Sequence, residues 1–264
     1  MEKGLETLTW VPKLTIIRVG ENPDDISYEK GATKKLTSFG LEVESKVFPG
    51  DISDEAFKRE FAAINADASV DGILMLRPLP KQINEQDIEK MIDPAKDLDG
   101  ISPVNIAKVF SGDTSGFAPC TAEAVVCMLK MNDIALSGKR VAVVGRSMVV
   151  GRPLSMLLLH ENATVTICHS RSENLPDICR EADILVVAAG KAGMVGAESV
   201  RAGQVVLDVG IHVGADGNLC GDTRFAEVEP VVEATHPGPG GVGTVTSTIL
   251  ASHVVEAAER AANQ

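Results

Sequence analysis

The sequence predicts an α/β protein built on parallel sheets covered by helices. Three observations carry this. Short β-rich runs alternate with helical stretches along the whole chain. The runs of the second half are near-continuously apolar, as strands buried on both faces are. One of them passes through a glycine-bearing turn directly into a helix.

In the first half, Leu14–Val19 reads as a strand. Asp24 or Asp25 can cap a helix running to Phe39, with Gly40 as its stop. Residues 43–47 form a second strand, and Ser53 can cap a helix over 54–66. Residues 72–76 form a third strand, broken by Pro78-Leu79-Pro80, and Asn84 can cap a short helix to Met91. Residues 93–119 carry little periodicity, and a stretch of that length is functional or holds hidden structure. In the second half, strands are expected at 141–144, 164–168, 184–188 and 205–209. Helices are expected at 151–160 and about 174–182. Ile249, Leu250, Val254, Val255, Ala258 and Ala262 have helical spacing, so a long last helix spans 246–262. A helix over 121–131 bridges two domains, 1–120 with the last helix (about 246–264) and 121–245.

The 264 residues are 44% hydrophobic and 23% charged, ordinary for a globular protein, and only 3% aromatic. The net charge of −12 and the lack of clustered Lys and Arg argue against a nucleic-acid partner. The five cysteines are scattered and form no C-x-x-C pair, so neither a disulfide framework nor a metal site is expected. The opening Met-Glu-Lys-Gly-Leu-Glu lacks a signal peptide's features, and no apolar run approaches membrane-spanning length. These readings imply a cytoplasmic protein with no membrane partner.

The strand at 141–144 runs into Gly145-Arg146-Ser147-Met148-Val149-Val150-Gly151-Arg152-Pro153. Such a turn aims backbone N–H groups and a helix's positive end at a pyrophosphate. It is neither G-x-G-x-x-G nor a Walker A loop, and a tight strand-to-helix turn needs glycine in any case. The next strand ends Cys168-His169-Ser170-Arg171-Ser172, without the acid that holds the ribose 2′-hydroxyl of NAD. Arg146, Ser170 and Arg171 could bind a 2′-phosphate, which favours NADP, although Arg171 can also be a solvated loop residue. Ala188-Ala189-Gly190 and Asp208-Val209-Gly210-Ile211 end the next two strands with the small residues that line a dinucleotide crevice.

G-R-S-x-x-V-G-x-P after a strand, Cys168-His169-Ser170, and Pro239-Gly240-Gly241-Val242-Gly243 before the last helix resemble the bifunctional methylenetetrahydrofolate dehydrogenase/methenyltetrahydrofolate cyclohydrolase family. Val19-Gly20-x-Asn22-Pro23, Tyr28, Pro78-Leu79-Pro80, Asp93-Pro94-x-Lys96-Asp97-Leu98-Asp99-Gly100 and Pro119-Cys120-Thr121 extend the resemblance over essentially the whole chain. It implies an N-terminal α/β folate domain and a C-terminal Rossmann-like, doubly wound parallel sheet, with the active site in the cleft between, in a homodimer. It implies that Tyr28 stacks on the folate, that Asp99 hydrogen-bonds its pterin, and that Pro239, Gly240, Gly241, Val242 and Gly243 line the floor of the site beside Leu76. Gly145, Arg146, Ser147, Gly151, Arg152, Pro153, His169, Ser170, Arg171, Ala189, Gly190, Gly210 and Ile211 are the expected NADP-binding set.

Two positions depart from the family pattern. The family carries a lysine four residues after the tyrosine, where this chain has Ala32, and a glutamine where it has Leu76. The resemblance assigns both to the cyclohydrolase step. Hydride transfer from the methylene carbon needs positioning more than proton transfer. Hydration and ring opening need a placed proton-transfer group. Lys35, seven residues after Tyr28, and Arg77, beside Leu76, are the candidate substitutes; both can equally be structural. The expected activity is therefore NADP-dependent oxidation of methylenetetrahydrofolate with weak or absent hydrolysis. A fully bifunctional enzyme, an NADP oxidoreductase of the same fold with a non-folate substrate, and a non-catalytic binding module are the alternatives.

Overall fold

Strand β1 (Lys13–Val19) is buried at every position but Lys13 and Arg18, which are half-buried. The structure, a computed structural model that describes residues 8–214, 217–237 and 240–263, shows why. β1 is the middle of a three-stranded parallel sheet, flanked by β2 (Glu42–Phe48) and β3 (Gly72–Met75). Successive side chains of a strand face opposite ways. Leu14 and Ile16 therefore join Leu74, Leu76, Ala32 and Leu36 in one core, while Ile17 and Val19 join Ile73, Met75, Phe57, Phe61 and Ile88 in another.

Helix α1 (Pro23–Ser38) is capped by Asn22, whose side chain accepts the Asp24 N–H, and not by Asp24 or Asp25 as the sequence suggested. Pro23, with φ already helical and no N–H to satisfy, sets the start two residues earlier. Ser53 caps α2 (Asp54–Ala66) through the Ala56 N–H, as expected. Helix α3 (Glu85–Met91) follows. The aperiodic stretch 93–119 holds α4 (Pro103–Ser111). Its start is Ser102-Pro103 and its stop is Gly112 in the left-handed conformation at φ 78°. Nine residues are too few for the apolar period to stand out.

The chain forms two compact units, residues 1–120 with 247–264, and 121–246. It passes between them within α5 (Cys120–Met131) and α9 (Val242–Ala262). Helix α9 begins four residues before Thr246, the start that the apolar spacing predicts. Buried Val242 anchors the added turn, and the Thr246 hydroxyl donates to the Val242 carbonyl at 3.0 Å.

The second unit holds a five-stranded sheet in the order β10-β7-β6-β4-β5, every pair parallel. The strands are β4 (Arg140–Val144), β5 (Thr164–Cys168), β6 (Ile184–Val187), β7 (Val205–Asp208) and β10 (Ala234–Thr235). β10 spans two residues, too short for a strand signal. Helices α6 (Gly151–His160) and α7 (Leu175–Glu181) follow β4 and β5. A two-stranded hairpin, β8 (His212–Val213) with β9 (Leu219–Cys220), and a short helix α8 (Phe225–Val228) lie between β7 and β10. Parallel pairing brings all five carboxyl ends to one edge, where doubly wound sheets bind ligands. Among the described residues no helix is long and apolar enough to cross a membrane.

Candidate active site

In the first unit, the Asp99 side chain accepts the Cys120 N–H at 2.9 Å, tying the start of α5 to the 93–100 segment. Asp99 keeps partial surface exposure, yet burial of its carboxyl holds it above the ordinary carboxylate range. The Cys120 N–H and the Arg77 charge pull the other way. Tyr28 lies on α1 and is 39% exposed. Its hydroxyl is raised by burial first, then by the Asp99 carboxyl and the Cys120 thiol, so these three groups share one locality. Cys120 Sγ contacts the Leu98 carbonyl at 3.3 Å, and His253 Nδ1 bonds the same carbonyl at 2.8 Å.

Ala32 lies one helical turn beyond Tyr28 and is 2% exposed. Leu76 is 8% exposed in the same apolar core. Lys35 sits with its ammonium 5.1 Å above the Phe39 ring. The Arg77 guanidinium lies 3.3 Å from both Glu85 and Glu89, with its side chain 15% exposed. Both candidate substitutes thus hold structural partners of their own.

In the second unit, Gly145 leaves β4 at φ 136°, and a Cβ there would lie 2.1 Å from the Ala188 carbonyl oxygen. A Cβ on Gly151 would lie 2.1 Å from the Gly145 carbonyl oxygen. No side chain fits at either position, so the turn is a bare backbone cradle. Val150 at the N-cap of α6 offers no side-chain acceptor, which leaves the first turn's positive end available to an anion. Ser147 shapes the turn: its hydroxyl accepts the Val150 N–H and its carbonyl the Arg152 N–H. Arg146, Ser147 and Arg152 are exposed beside the cradle, and Pro153 is buried in the first turn of α6.

After β5, the Ser172 hydroxyl accepts the His169 N–H and His169 Nδ1 accepts the Arg171 N–H at 3.2 Å, which sets Ser170 and Arg171 at an exposed turn tip. Among the described residues neither Arg146 nor Arg171 has an ion-pair partner, so both guanidiniums are free for a phosphate. Ala189, Gly190, Gly210 and Ile211 stand at the same edge, after β6 and β7. Ile211 is exposed, and its Cδ1 would lie 3.4 Å from a Cβ on Gly243. Gly240 adopts φ 97°, and Gly241 and Val242 are buried. Pro239 lies outside the described residues.

The sequence reading missed the acids that hold this edge. Asp222, fully buried, accepts the N–H groups of Ala189, Gly190 and Lys191 at 2.7, 3.0 and 2.8 Å and contacts His212 Nε2 at 2.7 Å. Asp208 accepts the N–H groups of Gly210, Asp222 and Thr223 and the Thr223 hydroxyl. Asp222 follows the hairpin in a stretch without periodicity, so only the fold reveals its partners.

Two models of one family match successive stretches of the chain. Residues 1–99 match the tetrahydrofolate dehydrogenase/cyclohydrolase catalytic domain, and residues 119–262 match the NAD(P)-binding domain of the same family. A bifunctional protein FolD of Carboxydothermus hydrogenoformans is 51% identical over 251 residues, 94% of this chain and 88% of that protein. The crystal structure of the bifunctional FolD methylenetetrahydrofolate dehydrogenase/cyclohydrolase from Campylobacter jejuni superposes with a TM-score of 0.95 at 34% identity, covering 98% of this chain and 92% of that one. A Trypanosoma brucei methylenetetrahydrofolate dehydrogenase-cyclohydrolase, solved with NADP and an inhibitor, gives a TM-score of 0.91 at 32% identity over 96% of this chain and 88% of that one. With both domains matched in order and half the residues shared with a curated relative, this chain belongs to the tetrahydrofolate dehydrogenase/cyclohydrolase family.

Proposed function

We propose that this chain is an NADP-dependent methylenetetrahydrofolate dehydrogenase whose cyclohydrolase step is weak or absent. The carrying observation is the shared core around Ala32 and Leu76. The two positions where the family places its hydrolytic lysine and glutamine are filled by packed apolar side chains with no proton to give. Lys35 and Arg77, occupied by Phe39 and by Glu85 and Glu89, are poor replacements.

NADP, when bound, supplies the hydride acceptor. The Gly145–Gly151 turn holds the pyrophosphate on backbone N–H groups, and Arg146 and Arg171 with Ser170 meet the 2′-phosphate. Tyr28 stacks on the folate, and the carboxyl of Asp99 hydrogen-bonds the pterin. The product of oxidation is a resonance-stabilised cation, so orientation does most of the work. The non-folate alternative is not favoured, because residues 1–99 match the family's catalytic domain and not only its cofactor domain.

Separate assays of NADPH formation from methylenetetrahydrofolate and of methenyltetrahydrofolate hydrolysis test the reading. Hydrolysis at a rate comparable to oxidation would overturn it. We also propose, on family resemblance, that the chain works in the cytoplasm as a homodimer. Sedimentation measures the second point directly.

A further inference from the structure

His236 follows β10 at the carboxyl edge of the five-stranded sheet. Its Nδ1 lies 3.0 Å from the Pro237 carbonyl. A carbonyl oxygen only accepts, so in the neutral imidazole Nδ1 carries the proton and Nε2 presents a lone pair. That Nε2 is buried and, among the described residues, has no hydrogen-bond partner. A Cβ on Gly241 would lie 2.0 Å from Nδ1, so Gly241 packs its bare backbone directly against the imidazole. A buried acceptor left without a donor destabilises the fold. A fold that fixes one at a ligand-binding edge has placed it for a donor that arrives with the ligand.

The sheet order says which part of the ligand that is. The pyrophosphate turn follows β4, and the 2′-phosphate turn follows β5 on one side of it. A dinucleotide crossing this edge carries its other half over the opposite side, toward β6, β7 and β10. The group with free N–H donors in that half is the carboxamide of the nicotinamide. We infer that His236 Nε2 accepts a hydrogen bond from this carboxamide and orients the nicotinamide ring, an assignment that rests on the NADP reading above. His236 is then a positioning residue for hydride transfer.

Calorimetric titration of the full chain with NADP and with 3-acetylpyridine adenine dinucleotide phosphate, in which a methyl group replaces the amide NH2, tests this without turnover. The native chain is expected to bind NADP about five- to tenfold more tightly than the analogue, the worth of one net hydrogen bond. In His236→Leu that preference falls to about one. In His236→Gln, whose amide oxygen reaches the Nε2 position, it survives in large part. If the leucine variant fails to fold, His236→Asn, which reaches only as far as Nδ1, is expected to lose the preference in the same way. An undiminished preference in the folded Leu or Asn variant overturns the inference and leaves the NADP reading standing. Failure of the native chain to bind NADP at all overturns both.

Discussion

The carboxylate of Asp222 accepts the backbone N–H of Ala189 at 2.7 Å, across 33 residues of sequence. With the N–H groups of Gly190 and Lys191 it ties the loop after β6 to the segment after β9. Replacing Asp222 by Ala leaves these donors and His212 without an acceptor in a site closed to water. Hydrogen bonds to a charged group are worth about 1.5–3 kcal/mol each before relaxation, so a loss of about 3–5 kcal/mol is expected. Tm should fall by roughly 10 °C. A shift under a few degrees would show that the loop holds its shape without the acid.

Restoring the family's two polar groups should restore hydrolysis. Ala32→Lys with Leu76→Gln is expected to raise methenyltetrahydrofolate hydrolysis by about a hundredfold over the native chain, the lower end of what a placed proton-transfer group contributes. Both substitutions enter a packed core, so the variant should lose about 1–3 kcal/mol of stability. The readout is the ratio of hydrolysis to oxidation. An unchanged ratio in the folded variant means that the pocket has diverged beyond these two residues.

Cofactor choice should move with Arg171. Its guanidinium has no ion-pair partner among the described residues, so Arg171→Ala costs the fold little. Loss of one charge-assisted contact to a 2′-phosphate, about 1.5–3 kcal/mol, weakens NADP binding by about ten- to a hundredfold. NAD, which lacks that phosphate, should bind the variant and the native chain alike. Equal weakening of both would place Arg171 elsewhere on the cofactor or in the fold.

What the sequence shows of the candidate site sits where strands end. The Gly145–Gly151 turn is visible in sequence as glycines flanking a strand-to-helix junction, and the close approaches to Ala188 and Gly145 give the reason for them. Ala32 and Leu76 stand out only against a family pattern, since an apolar residue in a helix or at a strand end is otherwise unremarked. Asp222 and His236 were not legible. Asp222 finds its partners about thirty residues away, and His236 is marked by a missing partner, which no local pattern encodes. Helix α4 and β10 were missed because nine and two residues are too short to carry a period.

Asp99 gives the chain a pH dependence of definite sign. Burial raises its pKa above the ordinary carboxylate value, so the folded chain holds this proton more tightly than the unfolded one. Stability from this group is full below the unfolded pKa and is lost as pH rises through the folded one. Asp99→Asn removes the ionisation and keeps the shape and an oxygen acceptor for the Cys120 N–H. The variant should therefore gain on the native chain as pH rises from below the ordinary carboxylate range, and the gain should level off once Asp99 is ionised in the folded state. Urea unfolding of the two proteins over that range measures the difference. A difference that is flat with pH would mean that the Cys120 N–H and Arg77 cancel the effect of burial, and one that shrinks as pH rises would mean that they outweigh it.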